Sequence, residues 1–221
     1  MNLELKKRII TSIFLLLLLI IMFFYSYVMI VSVIIISIIS WIEFYALISK
    51  IFIKDNNKAR IIRFFYKSVS LLYLFFLICL ILITVTKEQD LLVIIFYSIL
   101  ISIMTDIGGL IIGKIFKGKK LSKISPKKTI SGSLGSFIFS LTLVPFFNKL
   151  LVNHDLITII VLTLVISLIS QMGDLFISLI KRKANVKNTS DLLPGHGGVL
   201  DRIDGIIFAI PIGFLLFKLF N

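Results

Sequence analysis

The sequence predicts an all-α fold: a polytopic integral membrane helix bundle with about seven spans and a cytoplasmic N-terminus. Three observations predict it. Hydrophobic residues make up 58% of the 221 residues and charged residues only 16%, whereas a soluble domain keeps about a quarter of its residues charged. The apolar residues form long uninterrupted runs, which is typical of membrane-spanning helices. Finally, the basic residues collect in alternate loops, as the positive-inside rule requires.

Seven segments are long enough to span a bilayer, for which a helix needs about 20 apolar residues. They run roughly from Ile9 to Phe24, Tyr27 to Leu47, Phe64 to Thr86, Leu91 to Gly113, Gly132 to Phe147, Leu156 to Ile180, and Ile203 to Phe220. Only Tyr25-Ser26-Tyr27 joins the first two, which predicts a tight hairpin. No small-residue cleavage site follows the first run, so we interpret it as a retained span rather than a secretory signal.

The distribution of Lys and Arg sets the orientation. With the N-terminus in the cytoplasm, only Lys87, Lys149 and Lys218 fall outside. The net charge of +13 is then explained by topology and by anionic lipid headgroups, so we expect the lipid bilayer as a partner and no nucleic acid. The chain is expected to form one domain with two regions. Residues 1–90 form the N-terminal hairpin and third span, and residues 91–221 form a catalytic membrane region with cytoplasmic loops 114–131 and 181–204.

Four aspartates indicate where chemistry takes place. Asp106 and Asp174 interrupt apolar helices, where a charged residue costs roughly 2.5–3.5 kcal/mol and usually faces an interior or a partner. Each lies about 10 Å before the predicted cytoplasmic end of its span, which predicts a matched depth. Asp201 and Asp204 follow at the same face and lie on one side of a helical turn. Unless each merely pairs with a nearby Lys or Arg, the four carboxylates converge and suit a hard cation such as Mg²⁺.

The two cytoplasmic loops differ in how specific their sequences are. Loop 114–131 carries seven lysines, which either neutralise phosphate or only fix the topology. Loop 181–204 contains Pro194-Gly195-His196-Gly197-Gly198, whose glycines allow a backbone path that other residues resist. His196 either donates to a phosphate or orders the loop, and Arg202 either holds the aspartates or grips phosphate. Together these features predict a site for a phosphorylated, metal-bound substrate at the inner membrane surface.

At these residues the chain resembles the phosphatidate cytidylyltransferase (CDP-diacylglycerol synthase) family. The resemblance covers about residues 106–204. It rests on Asp106, Gly113, Ser125-Pro126, Lys128, Thr129, Ser178, Lys181-Arg182, Lys187, Pro194 to Gly198, and Asp201-Arg202-Ile203-Asp204. The family commonly has acidic residues where this chain has Ser131, Ile177 and Asn188.

The resemblance implies an enzyme that transfers the CMP moiety of CTP to phosphatidate, giving CDP-diacylglycerol and pyrophosphate for phospholipid synthesis. It implies a bacterial cytoplasmic (inner) membrane, an active site facing the cytoplasm and, by analogy, a homodimer. The implied cofactor is Mg²⁺, as two divalent ions or one with a monovalent ion, held by Asp174, Asp201 and Asp204. Besides these aspartates, the implied catalytic residues are Lys181, Arg182, Lys187, His196 and Arg202. The implied nucleotide-binding residues are Asp106, Ser125, Lys127, Lys128, Thr129, Gly195, Gly197 and Gly198.

Three alternatives stay open. One is another CTP-dependent membrane lipid enzyme, either a polyprenol kinase, which would release CDP rather than pyrophosphate, or an ether-lipid cytidylyltransferase. The second is a transporter, in which intramembrane carboxylates act as coupling sites. Against it, no inverted repeat is visible and the charges cluster at one face. The third is an inactive relative, which the three lost acidic positions would allow.

Overall fold

The computed structural model describes residues 3–53, 56–87, 89–122, 125–126, 128–151 and 154–220. Over these residues the chain forms nine helices and two isolated bridges, Lys120 with Thr129 and Leu193 with Gly197. The helices are α1 (Leu3–Phe24), α2 (Ser26–Ile51), α3 (Asn57–Lys87), α4 (Gln89–Phe116), α5 (Ile130–Leu141), α6 (Val144–Phe147), α7 (Leu156–Lys183), α8 (Leu200–Ile203) and α9 (Ile206–Leu219).

The prediction of a polytopic helical membrane protein is confirmed. Among the described residues, six segments are long and apolar enough to cross a membrane: α1 to α4, α7, and the stretch Ile130–Phe147 that contains α5 and α6. The seventh predicted span corresponds to α9, which has 14 residues. At 1.5 Å per residue α9 is about 21 Å long, shorter than the roughly 30 Å of a hydrocarbon core.

Helix boundaries differ from the predicted spans where charge or proline intervenes. α3 begins at Asn57, several residues before its apolar run, because Lys and Arg are good helix formers and continue the helix beyond the hydrocarbon. α5 ends at Leu141, and α6 begins with Val144-Pro145. Pro145 has no backbone N–H, so it starts a helix more readily than it continues one. The predicted hairpin is confirmed, with Tyr25 alone in an extended conformation between α1 and α2.

The chain divides into two compact units. The first unit comprises Met1–Val85 and Ile180–Ile203, and the second comprises Thr86–Leu179 and Asp204–Asn221. The division therefore groups loop 181–203 with the N-terminal helices, a grouping that the sequence does not reveal.

The second unit has a core of apolar and small polar side chains. Tyr97 of α4 is fully buried, and its hydroxyl lies 2.6 Å from Thr163 Oγ1 of α7. The Tyr97 ring also packs against Phe147 and Phe217, at centroid distances of 4.5 and 6.0 Å. α4 packs closely on α5 through small residues, as membrane helices commonly do. A Cβ added to Gly135 of α5 would lie only 2.3 Å from Ile112 Cβ of α4.

Candidate functional site

Loop 181–203 of the first unit is built around a tight turn from Leu193 to Gly197. The Leu193 N–H donates to Gly197 O at 2.8 Å, and the Gly197 N–H donates back to Leu193 O at 3.1 Å. Gly195 and Gly197 have φ values of +77° and +86°. L-residues with side chains rarely adopt this conformation, which explains why glycine stands at both positions. The Arg202 guanidinium closes the turn by donating to His196 O at 2.7 Å.

Asp201 holds this loop together. Its Oδ1 accepts a hydrogen bond from Lys181 Nζ at 2.6 Å. Its Oδ2 accepts from the Thr189 N–H at 2.8 Å and the Gly198 N–H at 3.0 Å. Burial favours the neutral carboxyl, but the Lys181 ion pair and the two backbone donors outweigh it and lower the pKa of Asp201. Asp201 is therefore an ionised anchor at neutral pH.

Glu43 of α2 is a second anchor of the same loop. Its side chain is buried, with 5% exposure, and it accepts four hydrogen bonds. Oε1 accepts from Ser190 Oγ at 2.6 Å and the Val199 N–H at 3.0 Å. Oε2 accepts from Thr189 Oγ1 and the Leu200 N–H, both at 2.8 Å. Backbone amides that are buried without an acceptor are destabilising. By accepting from the Val199 and Leu200 N–H groups, Glu43 therefore stabilises the conformation of the chain at the start of α8.

Thr189 and Gly198 show how tightly the two anchors approach each other. Thr189 Oγ1 lies 2.8 Å from Glu43 Oε2 and 3.0 Å from Asp201 Oδ2, so one hydroxyl proton is shared by two carboxylates. A Cβ added to Gly198 would lie 1.9 Å from Thr189 Oγ1 and 2.5 Å from Glu43 Oε2. The second glycine of the Gly197-Gly198 pair is thus required by packing, since its φ is not positive.

A cavity of about 490 Å³ opens beside the turn. It is lined by Arg8, Lys187, Asn188, Asp191, Leu193, Gly195, His196, Gly197 and Arg202. The lining contains three cationic side chains and one aspartate. Gly195 and Gly197 contribute backbone but no side chain. A positively charged cavity with exposed backbone suits the oxygens of a phosphorylated ligand.

His196 orders the loop rather than carrying charge. Its Nε2 lies 3.2 Å from Ser12 Oγ of α1, and Thr11 of the same helix donates to Pro194 O at 3.0 Å. Burial and the positive charges of Arg202 and Arg8 lower the pKa of His196, outweighing a backbone hydrogen bond that raises it. The imidazole is consequently neutral at neutral pH. Of the two roles open from the sequence, the contacts favour ordering of the loop.

In the second unit, the end of the lysine-rich loop lies against α7. Lys128 forms an ion pair with Asp174, which also accepts from Ser178 Oγ at 3.2 Å. Thr129 caps α5, because its Oγ1 accepts from the Gly132 N–H at 3.1 Å. A Cβ added to Gly113 would lie 3.0 Å from Thr129 Oγ1. This close approach places Lys128 and Asp174 beside the end of α4 that contains Gly113.

Asp106 lies on the part of α4 that contacts α7. The neighbouring Thr105 Oγ1 is 2.8 Å from Ser167 Oγ of α7. The matched depth of Asp106 and Asp174 stays a prediction. Asp106 is exposed on its helix and has an interaction of its own.

Asp204 begins the C-terminal part of the second unit. Its side chain is buried and accepts from the Gly205 N–H at 3.0 Å. A Cβ added to Gly173 would lie 2.8 Å from Asp204 O. The backbone of Asp204 thus passes directly beside the residue that precedes Asp174, and the second unit brings these two predicted metal ligands into one neighbourhood.

The aspartates of the site offer oxygen ligands, which Mg²⁺ prefers. Over the described part of the chain, no three His, Cys, Asp or Glu side chains lie close enough together to hold a metal ion. Mg²⁺ at nucleotide sites needs only one or two carboxylates, with waters and substrate phosphates as the other ligands. Asp174 and Asp204 fit this pattern. Asp201 belongs to the first unit, where its Oδ1 holds Lys181, and its role as a metal ligand stays a prediction.

The remaining predicted residues are distributed over both units. Lys187 lines the cavity of the first unit, together with Asn188. Arg182 is exposed and donates to Val186 O at 3.4 Å. Ser125 accepts the Lys128 N–H through its backbone oxygen at 3.0 Å. Ser131 donates to Lys117 O, and Ile177 is buried. Lys127 lies outside the described residues.

Two residues of the site were missed from the sequence. Glu43 is an acidic residue within the apolar α2, the same signal that identified Asp106 and Asp174. It would have been found by treating every carboxylate in a span as a candidate. Arg8 lines the cavity, but it precedes the first apolar run, where a basic residue is already explained by topology. Nothing in its sequence context separates the two roles.

These features define a helical integral membrane protein with a basic cavity beside a glycine-containing turn. The profile of the cytidylyltransferase family matches residues 4–220, and the chain belongs to this family.

Among similar proteins, the phosphatidate cytidylyltransferase of Rickettsia typhi is 41% identical over 139 residues, covering 58% of this chain and 60% of that protein. The phosphatidate cytidylyltransferase of Bacillus subtilis is 37% identical over 129 residues, covering 58% and 48%. That of Rickettsia prowazekii is 38% identical over 146 residues, covering 62% and 63%. The chain therefore matches about half to three fifths of the length of these relatives.

Proposed function

We propose that this protein transfers the CMP moiety of CTP to phosphatidate, giving CDP-diacylglycerol and pyrophosphate. The observation that carries the proposal is the basic cavity of loop 181–203, formed by the segment whose sequence resembles phosphatidate cytidylyltransferases. Its cations and its backbone suit a phosphate chain. The names of the three relatives supply the substrate class.

In this reaction a phosphate oxygen of phosphatidate attacks the α-phosphorus of CTP. The new P–O bond forms as the bond from the α-phosphorus to the oxygen bridging to the β-phosphorus breaks, and pyrophosphate leaves with that electron pair. The lipid phosphate is the nucleophile, so no protein nucleophile is required. The main obstacle is the repulsion between two anions, which positively charged side chains offset.

The roles of the side chains follow from their surroundings. Arg8, Lys187 and Arg202 bind phosphate oxygens in the cavity of the first unit. Lys181 is held on Asp201 and supplies charge when substrate competes for it. In the second unit Lys128, paired with Asp174, contributes a further cation. Bound Mg²⁺, with Asp174 and Asp204 as ligands, would neutralise charge on the triphosphate. The family resemblance implies Asp201 as a further ligand.

The proposal includes an orientation. We place the protein in a bacterial cytoplasmic (inner) membrane with loops 114–131 and 181–204 facing the cytoplasm, because the basic residues then lie inside. CTP would enter from the cytosol and phosphatidate laterally from the bilayer. A homodimer, which the family resemblance implies, would be tested by cross-linking in intact membranes.

The experiment measures CDP-diacylglycerol formed from labelled CTP and phosphatidate in membranes that contain the protein, with Mg²⁺ and then with EDTA. We expect Mg²⁺-dependent product and its loss in Asp204→Asn. The matched control is Asp155→Asn, the same substitution at an exposed position where Asn also caps a helix. Release of CDP in place of pyrophosphate would instead identify a kinase. No product from well-inserted protein would refute the proposal.

A further inference from the structure

A second basic cavity lies in the first unit, between α2 and α3. It has a volume of about 490 Å³ and is lined by Trp41, Tyr45, Arg60, Arg63, Phe64, Lys67, Ser68 and Leu71. None of these residues belongs to loop 181–203. Arg60, Arg63 and Lys67 follow one face of α3, and Trp41 and Tyr45 follow one face of α2, because residues three or four apart are neighbours on a helix. The cavity thus joins a row of cations to an aromatic wall.

Contacts between the helices fix this wall. Lys67 Nζ lies 3.2 Å from the centre of the Tyr45 ring, a cation–π contact that strengthens where water is excluded. The Trp41 indole N–H donates to Lys67 O at 3.3 Å. The Trp41 and Tyr45 rings pack with centroids 5.5 Å apart. The cation and the two rings are therefore held in place before any ligand arrives.

The position of the cavity along α3 relates it to the bilayer. α3 has 31 residues and is about 46 Å long, whereas the hydrocarbon core is about 30 Å thick. The stretch after Lys67 is almost free of charge and fills the core, which leaves Arg60, Arg63 and Lys67 at headgroup level. Phe64 and Leu71 expose 74% and 48% of their surface. The cavity accordingly combines cations at the headgroup with apolar surface directed to acyl chains.

We propose that this cavity binds the headgroup of an anionic phospholipid. Its phosphate lies on Arg63 and Lys67, and its acyl chains run along Phe64 and Leu71. Basic pockets between membrane helices are suited to such headgroups, and each nearby Lys or Arg contributes about 1 kcal/mol. A free phosphate or a nucleotide would use the cations but leave the exposed apolar wall unused, so the lipid is the ligand that matches the whole cavity.

The protein carries its own reporter for this site, since Trp41 is the one tryptophan of the sequence. The experiment reconstitutes the full chain in nanodiscs that contain phosphatidylcholine and a small fraction of a lipid brominated in its acyl chains. Quenching of Trp41 fluorescence is compared for brominated phosphatidylglycerol and brominated phosphatidylcholine. We expect phosphatidylglycerol to quench at several-fold lower mole fraction, because it concentrates beside Trp41.

Substitutions then connect the preference to the cavity. Arg63→Gln and Lys67→Gln should each weaken the apparent affinity for phosphatidylglycerol roughly fivefold, which corresponds to about 1 kcal/mol per cation. The matched control is Lys58→Gln, which removes the same charge from the first turn of α3 but does not line the cavity. It should leave the preference nearly unchanged. Circular dichroism of each variant checks that the helices are retained.

Three results would overturn the proposal: equal quenching by the two lipids, a preference that survives both lining substitutions, or a preference lost equally in Lys58→Gln. Displacement of the lipid by millimolar inorganic phosphate would assign the cavity to a free phosphate instead. Because quenching requires no turnover, this outcome and the outcome of the CDP-diacylglycerol measurement are independent.

Discussion

The two loops that the sequence singled out are held by different forces. In loop 181–203, backbone amides and hydroxyls donate hydrogen bonds to two acidic side chains, Glu43 and Asp201. The end of loop 114–131 instead pairs with its own beginning, where the Ile130 N–H donates to Lys119 O at 3.0 Å, and continues into α5, which packs closely on α4. The first loop thus depends on a few acidic side chains, whereas the second depends mainly on helix packing.

The largest expected effect comes from Glu43→Gln. The amide keeps the shape of the side chain but offers one acceptor oxygen, so two of the four donors now face an NH₂ group. Leaving two buried donors without an acceptor costs about 2–6 kcal/mol. Hydrogen–deuterium exchange of the segment that contains Val199 and Leu200 should accelerate by at least roughly 30-fold, and turnover should fall with it.

Ser49→Ala is the control for this substitution, because Ser49 also lies on α2 but is exposed and donates to the Tyr45 carbonyl of its own helix at 2.9 Å. Its exchange should match that of the unsubstituted protein. Unchanged exchange in Glu43→Gln would show that the loop holds its shape without this carboxylate.

The next effect tests the packing of the second unit. Gly135→Ala would place a methyl group 2.3 Å from Ile112 Cβ. Overpacking of this kind costs about 1–3 kcal/mol. In Gly109→Ala the nearest atom is Ser136 Oγ at 2.8 Å, a side-chain atom that can rotate away at the loss of one hydrogen bond, to Thr105 O at 2.7 Å. Thermal unfolding in detergent should therefore show a clearly lower midpoint for Gly135→Ala than for Gly109→Ala, and equal midpoints would contradict the packing argument.

The sequence predicted the membrane helices well because hydrophobic run length and the distribution of Lys and Arg are local signals. It also located the loop from Lys181 to Asp204, whose glycines the structure explains by positive φ at Gly197 and by crowding at Gly198. It did not reveal that Glu43 pins Val199 and Leu200, since a contact across more than 150 residues leaves no trace in local patterns.

A smaller effect is the pH dependence of amide exchange in loop 181–203, which arises from Asp201. The pKa of Asp201 is lowered below its usual value of 3.8, so its ionised form stabilises the fold. This contribution is fully present above about pH 4 and is lost as the pH falls through the folded-state value. The protection factors of the Thr189 and Gly198 amides, which remove the intrinsic pH dependence of exchange, should stay high down to about pH 4 and fall below it. In Asp201→Asn this acid step should vanish, whereas a fall in protection that begins near pH 6 would contradict the assignment.

The smallest effect concerns His196, whose pKa is lowered below 6.5 by burial and by the charges of Arg202 and Arg8. A lowered histidine pKa means that the neutral ring is favoured in the fold, so its contribution is present above pH 6.5 and declines as the pH falls below it. An NMR titration in the His154→Gln background, which leaves one histidine, should give a value under 6.5. Arg202→Gln should raise that value more than Arg8→Gln, because Arg202 contributes the larger charge effect. A larger rise in Arg8→Gln would instead show that Arg8 of α1 lowers the pKa of His196 more than Arg202 does.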